Sequence, residues 1–174
     1  MNCKPLIYLP LVLLAAGCHK RDPHVDIGAT GPYDQQFLIW LADYHNDGDR
    51  MLGPCAEKQS VRRELRDFCG GLDQEHQQRV DRVTTWLKSW YGREPPAADR
   101  YRLWLASLEG PEFEHEFLKE FGRHLADGIT EMTECAERAQ RPELKELCAR
   151  VVPRQKENVV KMNQWKCGWF KDCD

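Results

Sequence analysis

Apolar and small residues recur three or four positions apart along four long stretches of this chain. The first runs through Phe37, Leu41, Tyr44, Gly48, Leu52 and Cys55. The second runs through Val61, Leu65, Phe68, Leu72, His76, Val80, Val83, Leu87 and Trp90. The third takes in Phe113, Phe117, Phe121, His124, Gly128, Met132 and Cys135, and the fourth Leu144, Leu147, Val151, Gln155, Val159, Met162, Trp165 and Trp169. Such spacing lays each set along one face of a helix, with polar residues on the other faces. Pro142 suits the first turn of the fourth helix. Strand-like alternation is missing, so the pattern predicts an all-α fold.

The four stretches are two copies of one unit. Shifted by 80 residues, Phe37-Leu38 falls on Phe117-Leu118, Asp47-Gly48 on Asp127-Gly128 and Cys55-Ala56-Glu57 on Cys135-Ala136-Glu137. Shifted by 79, Glu64-Leu65 falls on Glu143-Leu144, Cys69 on Cys148, Trp86 on Trp165 and Trp90 on Trp169. The change of shift lies where a turn is expected. One supersecondary unit used twice is the usual meaning of such self-similarity. We expect a first hairpin over 33–91, a connection over 92–110 with a short helical stretch near 97–108, and a second hairpin with its tail over 111–174. Two hairpins joined by a crossover make a four-helix bundle.

The N-terminus places this bundle in a cell. One basic residue, Lys4, precedes 13 mostly apolar residues from Pro5 to Gly17, and Leu13-Leu14-Ala15-Ala16-Gly17-Cys18 follows the pattern of a cleavable signal. The stretch is shorter than the roughly 17–25 residues of a spanning helix. Its last residues resemble the lipobox of bacterial lipoproteins. That resemblance implies removal of residues 1–17, lipidation of Cys18 (palmitate included) and a flexible tether over 18–32. Acyl chains then supply the membrane attachment. His19 rather than Asp follows the lipidated residue, which favours the outer membrane over retention at the inner one. The expected location is therefore the periplasmic side of a bacterial envelope.

Export changes how the other cysteines read. Cys55, Cys69, Cys135, Cys148, Cys167 and Cys173 are an even set in an oxidising compartment, without a C-x-x-C pair, and point to disulfides rather than a zinc cage. Pairing Cys55 with Cys69 and Cys135 with Cys148 staples each hairpin, contributing about 3 kcal/mol each by loop closure. Pairing Cys69 with Cys148 and Cys55 with Cys135 would instead join the hairpins. Cys167 and Cys173 remain to pin the tail. The mature chain carries 24 Lys+Arg against 28 Asp+Glu, a net −4 with no basic stripe, which argues against nucleic acid as a partner.

If the staples hold within hairpins, Gly48 lies opposite His76 and Gly128 opposite Gln155, with Tyr44 and His124 one turn away. One polar layer, Tyr44, His76, His124 and Gln155, then interrupts an apolar core. Imidazole suits copper or zinc and thioether suits Cu(I). The candidate ligands are therefore His45, His76 and His124, with Met51, Met132 and Met162 as sulfur donors. Equally, a histidine on an apolar stripe can be a hydrogen-bonded core residue, and methionine at helical spacing can be packing. Asp47 and Asp127 read as a solvated face. The tryptophan pairs 86/90 and 165/169 read as packing at the bundle ends, or as an aromatic platform for a partner.

These residues resemble the domain-of-unknown-function 305 family. Tyr44-His45-Asn46-Asp47-Gly48-Asp49-Arg50-Met51 is similar to its opening helix, which carries a His-His pair and, six residues after the second His, a Met. His45 and Met51 keep that spacing, and Tyr44 replaces the first His. Gln155, Met162 and Trp165 match the Gln, Met and Trp of its second helix, while Asn158 replaces an acid. In the first hairpin only Trp86 of that set is kept, with His76, Arg79 and Val83 at the other three positions. The second hairpin keeps His124 but has Leu125 and Glu131 for the second His and the Met. The resemblance covers about Tyr33 to Phe170. It implies a ferritin-like four-helix bundle and, as in some members, copper held by His and Met. A di-iron site would need two inward Glu-x-x-His pairs, and only Glu112-x-x-His115 occurs, off the stripe. No nucleophile or phosphate-loop pattern is visible. We therefore expect no enzyme, but a metal-handling lipoprotein, with a metal-free structural or interaction lipoprotein as the alternative.

Overall fold

Each apolar stripe forms one helix. The computed structural model describes residues 32–96 and 103–173. Its elements are α1 (Tyr33–Glu57), α2 (Arg63–Tyr91), α3 (Leu103–Ser107), α4 (Gly110–Arg138) and α5 (Pro142–Phe170), and no strand occurs among the described residues. The signal over 1–17, Cys18 and the tether to residue 31 lie outside the described residues. So do 97–102 of the connection, whose described helical part is α3. α2 ends where Gly92 turns left-handed at φ 61°, a region open to glycine at little cost. Its amide bonds to Lys88 O and the Arg93 amide to Leu87 O, closing the helix end.

α1 packs along α2 and α4 along α5 as two hairpins. Disulfides join Cys55 to Cys69 and Cys135 to Cys148, and a third joins Cys167 to Cys173 in the tail. The turn over 58–62 holds one residue more than the matching 138–141, which is where the repeat shift changes from 80 to 79. The hairpins meet head to tail. The start of α1 and the end of α2 share one apolar cluster with the end of α4 and the start of α5. The opposite ends share a second cluster, which includes Phe113, Phe117 and Phe121. α1 and α4 therefore run antiparallel, and they make the main backbone approach between hairpins.

Both ends of this two-fold arrangement are latched by the same device. Asp34, buried on the first turn of α1, accepts hydrogen bonds from the Gln140 and Arg141 amides at 2.9 and 2.7 Å. It thereby caps the start of α5 in the other hairpin. Glu114, its repeat equivalent on α4, accepts from the Arg62 amide at 2.6 Å and pairs with the Arg62 guanidinium, capping α2. Carboxylates at helix starts satisfy amides that lack an intrahelical partner and complement the helix dipole. The two capped arginines then cover tryptophans of the opposite hairpins: Arg62 lies 4.5 Å over Trp169 and Arg141 4.7 Å over Trp90. Those tryptophans stack on Trp165 and Trp86 at 5.2 and 4.9 Å and are half-buried.

Removing a latch should weaken the union of the hairpins. Asp34→Ala and Glu114→Ala should each lower the unfolding free energy by about 1–2 kcal/mol, the size of a lost helix cap. Urea unfolding followed by circular dichroism checks this. Asp67→Ala, which removes only an exposed i,i+4 partner of Arg63, should change it by less than about 0.5 kcal/mol.

Candidate functional site

Where the two apolar clusters meet, the core is polar. Tyr44 and His45 come from α1, His76 from α2, His124 from α4, and Gln155 and Asn158 from α5, and all six are buried. The approach of α1 to α4 depends on two missing side chains. A Cβ on Gly128 would overlap the phenol of Tyr44, and one on Gly48 would stand 2.7 Å from His76 Cε1 and 3.1 Å from His124 Nε2. The repeat thus places glycine twice where the other hairpin inserts a ring.

The inserted rings are engaged with one another. Tyr44 stacks on His124 with centroids 4.0 Å apart and planes within 5°. Gln155 Nε2 donates to Tyr44 Oη at 2.9 Å. The stack continues through Trp40, Phe37 and Tyr33 on α1 and through Phe121, Phe117 and Phe113 on α4, with neighbouring centroids no more than 5.9 Å apart. A column of eight rings therefore runs along the bundle, and the polar layer is its middle. Burial holds the Tyr44 phenol well above the ordinary tyrosine range, so it stays neutral and can act only as a hydroxyl.

His45 lies beside the four-residue layer expected from the sequence. Its ring packs edge-on against His76, with centroids 4.7 Å apart. Neither of its ring nitrogens has a hydrogen-bond partner among the described residues. Leaving such a group buried and unpaired costs about 1–3 kcal/mol. Burial, and then the positive charge available to His76, Arg79 and His124, push its pKa well below the ordinary histidine value. His45 is thus a neutral imidazole with a lone pair facing the interior.

Two carboxylates flank the other imidazoles. Asp49 Oδ1 lies 3.4 Å from His76 Nδ1, misaligned for a hydrogen bond, and Asp47 Oδ2 lies 3.8 Å from His124 Nδ1. Asp47 therefore faces the layer instead of standing wholly in solvent, as its charge alone suggested. Arg79 of α2 holds its guanidinium on Glu75 at 2.8 Å, and its charge is felt by Tyr44 and His45. The methionines divide. Met51 and Met162 lie in the cluster on one side of the layer and Met132 in the cluster on the other. Among the described residues no three His, Cys, Asp or Glu side chains are arranged as a ready-made metal cage. The full candidate set of three imidazoles and three thioethers is therefore not gathered at one point. His45 and His76 are in contact, while His124 stands across Gly48 from His76. Sequence reasoning missed Asp34, Glu114 and the Asp49–His76 pair. Repeat equivalence of Asp34 with Glu114 (shift 80) and of Arg62 with Arg141 (shift 79) was the available signal for the latches.

Two measurements check this geometry. Gly128→Ala should destabilise the fold by about 1–3 kcal/mol through overpacking against Tyr44. Gly122→Ala on the same helix, where an added Cβ meets open space, should be neutral or stabilising by up to about 1 kcal/mol. The second concerns pH. The unfolded chain protonates His45 near pH 6.5, whereas the fold excludes that proton, so unfolding becomes easier as pH falls through and below about 6.5. His45→Leu should flatten that dependence and raise stability at neutral pH, as read by melting temperature across pH 5 to 8.

The comparisons agree with this fold. Residues 101–166 match the family described as Domain of unknown function (DUF305). No curated protein matches the chain. Among solved structures, CopM in its Cu(I)-bound form superposes with a TM-score of 0.72 at 21% identity, over 80% of this chain and 99% of that one. CopM in an Ag-bound form gives 0.70 at 23% identity, over 79% and 97%. A DUF305 protein from Streptomyces coelicolor gives 0.65 at 17% identity, over 75% and 89%. At these identities the likeness establishes the shared helical fold. The resemblance read from the sequence thus holds as a match to the family over residues 101–166, within a disulfide-bonded helical bundle whose fold those structures share.

Proposed function

We propose that this protein is a lipid-anchored envelope protein whose bundle takes up one soft monovalent metal ion, Cu(I), at its polar layer. One observation carries the reading: His45 is fully buried, neutral, unbonded at both nitrogens and packed against His76. A fold seldom keeps such a group without a use for its lone pair. His45 and His76 are the proposed first ligands, His124 a third that a small ring shift brings in, and Met51 or Met162 the source of a sulfur. Imidazole and thioether are uncharged soft donors and stabilise Cu(I). Asp49 beside His76 and Asp47 beside His124 are in the position of the carboxylates that orient ligating histidines. The nearest support outside this chain is that CopM, which shares the fold, occurs in Cu(I)-, Cu(II)- and Ag-bound forms. The role we assign is binding and buffering, without catalysis.

The three disulfides fit an oxidising compartment, and among the described residues no helix is long and apolar enough to cross a membrane. Attachment is then assigned to lipid on Cys18 after loss of residues 1–17, with the outer membrane as its seat. A second reading is favoured by Arg79. Its positive charge acts on His45 and opposes a cation, so the layer would serve only to set the register of the hairpins in a metal-free interaction protein.

Competition titration of the mature chain with a chromophoric Cu(I) chelator separates the two. We expect one Cu(I) per chain. His45→Ala or His76→Ala should weaken it at least tenfold, about 1.4 kcal/mol, and Arg79→Gln should strengthen it. Tyr44→Phe should leave it unchanged. Absence of binding would assign the metal-free role, and binding indifferent to His45 would overturn the polar layer as the site.

A further inference from the structure

The three disulfides stand in different surroundings. Cys55, Cys69, Cys135 and Cys148 are fully buried in the two apolar clusters. Cys173 is exposed and Cys167 half-exposed. The loop that this third bridge closes spans a separation of only 6 residues, against 14 and 13 for the others, so it constrains the unfolded chain least. Within it Lys171 ends α5 at φ 60°, as Gly92 ends α2 in the other hairpin, and it is the one left-handed residue other than glycine among the described residues. A side chain there crowds its own backbone. The loop also presses Asp172 onto a neighbour: Asp172 Oδ2 lies 3.0 Å from His115 Nε2, and Oδ1 lies 3.5 Å from Lys166 Nζ. His115 in turn packs on Phe170, with centroids 4.8 Å apart. Exposed bridges are the labile ones, because a thiolate can reach a sulfur, and a short loop gives the closed form little entropic advantage.

We propose that Cys167–Cys173 is a thiol–disulfide exchange site, opened by a dithiol reductant, and that the dithiol it becomes is a second binding site for a soft monovalent cation. The reductant's thiolate attacks the exposed Cys173 sulfur, the S–S bond breaks, and Cys167 leaves as a thiolate. The reductant's second thiol then displaces Cys173 from the mixed disulfide. Two electrons pass to the chain, the reductant ends as a disulfide, and its two protons end on the released thiols. Opening frees Asp172 from its enforced seat on His115, so two sulfurs and an imidazole become available on one face of the α4 and α5 ends. Thiolates select Cu(I) over harder ions. The choice of ion rests on the function proposed above; the reducibility does not. The bridge thereby couples the redox state of the surroundings to the number of ions held.

The full chain, treated anaerobically with one equivalent of dithiothreitol and then alkylated, gives the first readout by mass spectrometry. Cys167 and Cys173 should be labelled at least tenfold more than the other four bridged cysteines. Competition with a Cu(I) chelator gives the second. The treated chain should take one Cu(I) more than the untreated chain, and Cys167→Ser/Cys173→Ser should lose that extra ion. His45→Ala should keep it while losing the central one, so the two sites fail independently. Even labelling of all six cysteines would overturn the exchange site. Selective labelling with no extra ion, or an extra ion that survives in the double variant, would overturn the second binding site.

Discussion

The close approach of α1 to α4 at Gly48 and Gly128 is the constraint on which the rest of this bundle depends. Only where both helices lack a Cβ can Tyr44 seat against one and His124 against the other. Their stacked rings join two aromatic runs into one column, and that column sets the register of the hairpins. The polar layer follows from the register. His76 and Gln155, at equivalent positions of α2 and α5, are delivered to the same level because each hairpin is stapled by a disulfide at an equivalent place. The latches at the two ends, Asp34 with Arg141 and Glu114 with Arg62, close the union without large backbone contact between α2 and α5.

Divergence between the two halves is most consequential in and beside the middle layer. Outside the middle layer, equivalent positions keep equivalent jobs: acid cap, arginine over tryptophan, disulfide, aromatic core. Within it the halves differ, as Tyr44 faces His124, His45 corresponds to Leu125, Met51 to Glu131, and Arg79 to Asn158. The latches require the same hydrogen bonds and ring contacts at both ends, so drift there costs stability twice. The middle is crossed by the two-fold axis and filled from both halves at once. One half can therefore supply donors while the other supplies packing. An unpaired neutral imidazole of the first half, His45, against a leucine of the second is the plainest case. This asymmetry concentrates most of the fold's buried, unbonded polar atoms in and beside the middle layer.

Much of the architecture was legible in the chain. Four stripes at helical spacing, the repeat and the cysteine positions led to the hairpins, their staples and the polar layer of Tyr44, His76, His124 and Gln155. Helix periodicity and loop closure are local properties, and a repeat doubles the signal for each. Less legible were the contacts between hairpins. Asp34 and Glu114 look like ordinary acids near a helix start until the opposite hairpin brings amides to them, across 106 and 52 residues of chain. His45 reads as a residue beside the layer, because it stands one position off the apolar stripe. Only tertiary packing, with His76 of α2 against its ring, buries that flank and leaves its nitrogens unbonded.

By itself, then, the sequence determined the class of fold, the twofold repetition, the matched positions of the cysteines and the residue types available for chemistry, while the structure chose the pairing within each hairpin. Each is carried by spacing along one helix or one turn, where the geometry is known in advance. Tertiary structure decided which donors meet. It set His45 against His76, parted Met132 from Met51 and Met162, left the Cys167–Cys173 bridge at the surface, and brought the charge of Arg79 to bear on His45. Such outcomes depend on the rotation of each helix about its own axis. That rotation is fixed by packing between hairpins, which no local pattern along the chain records.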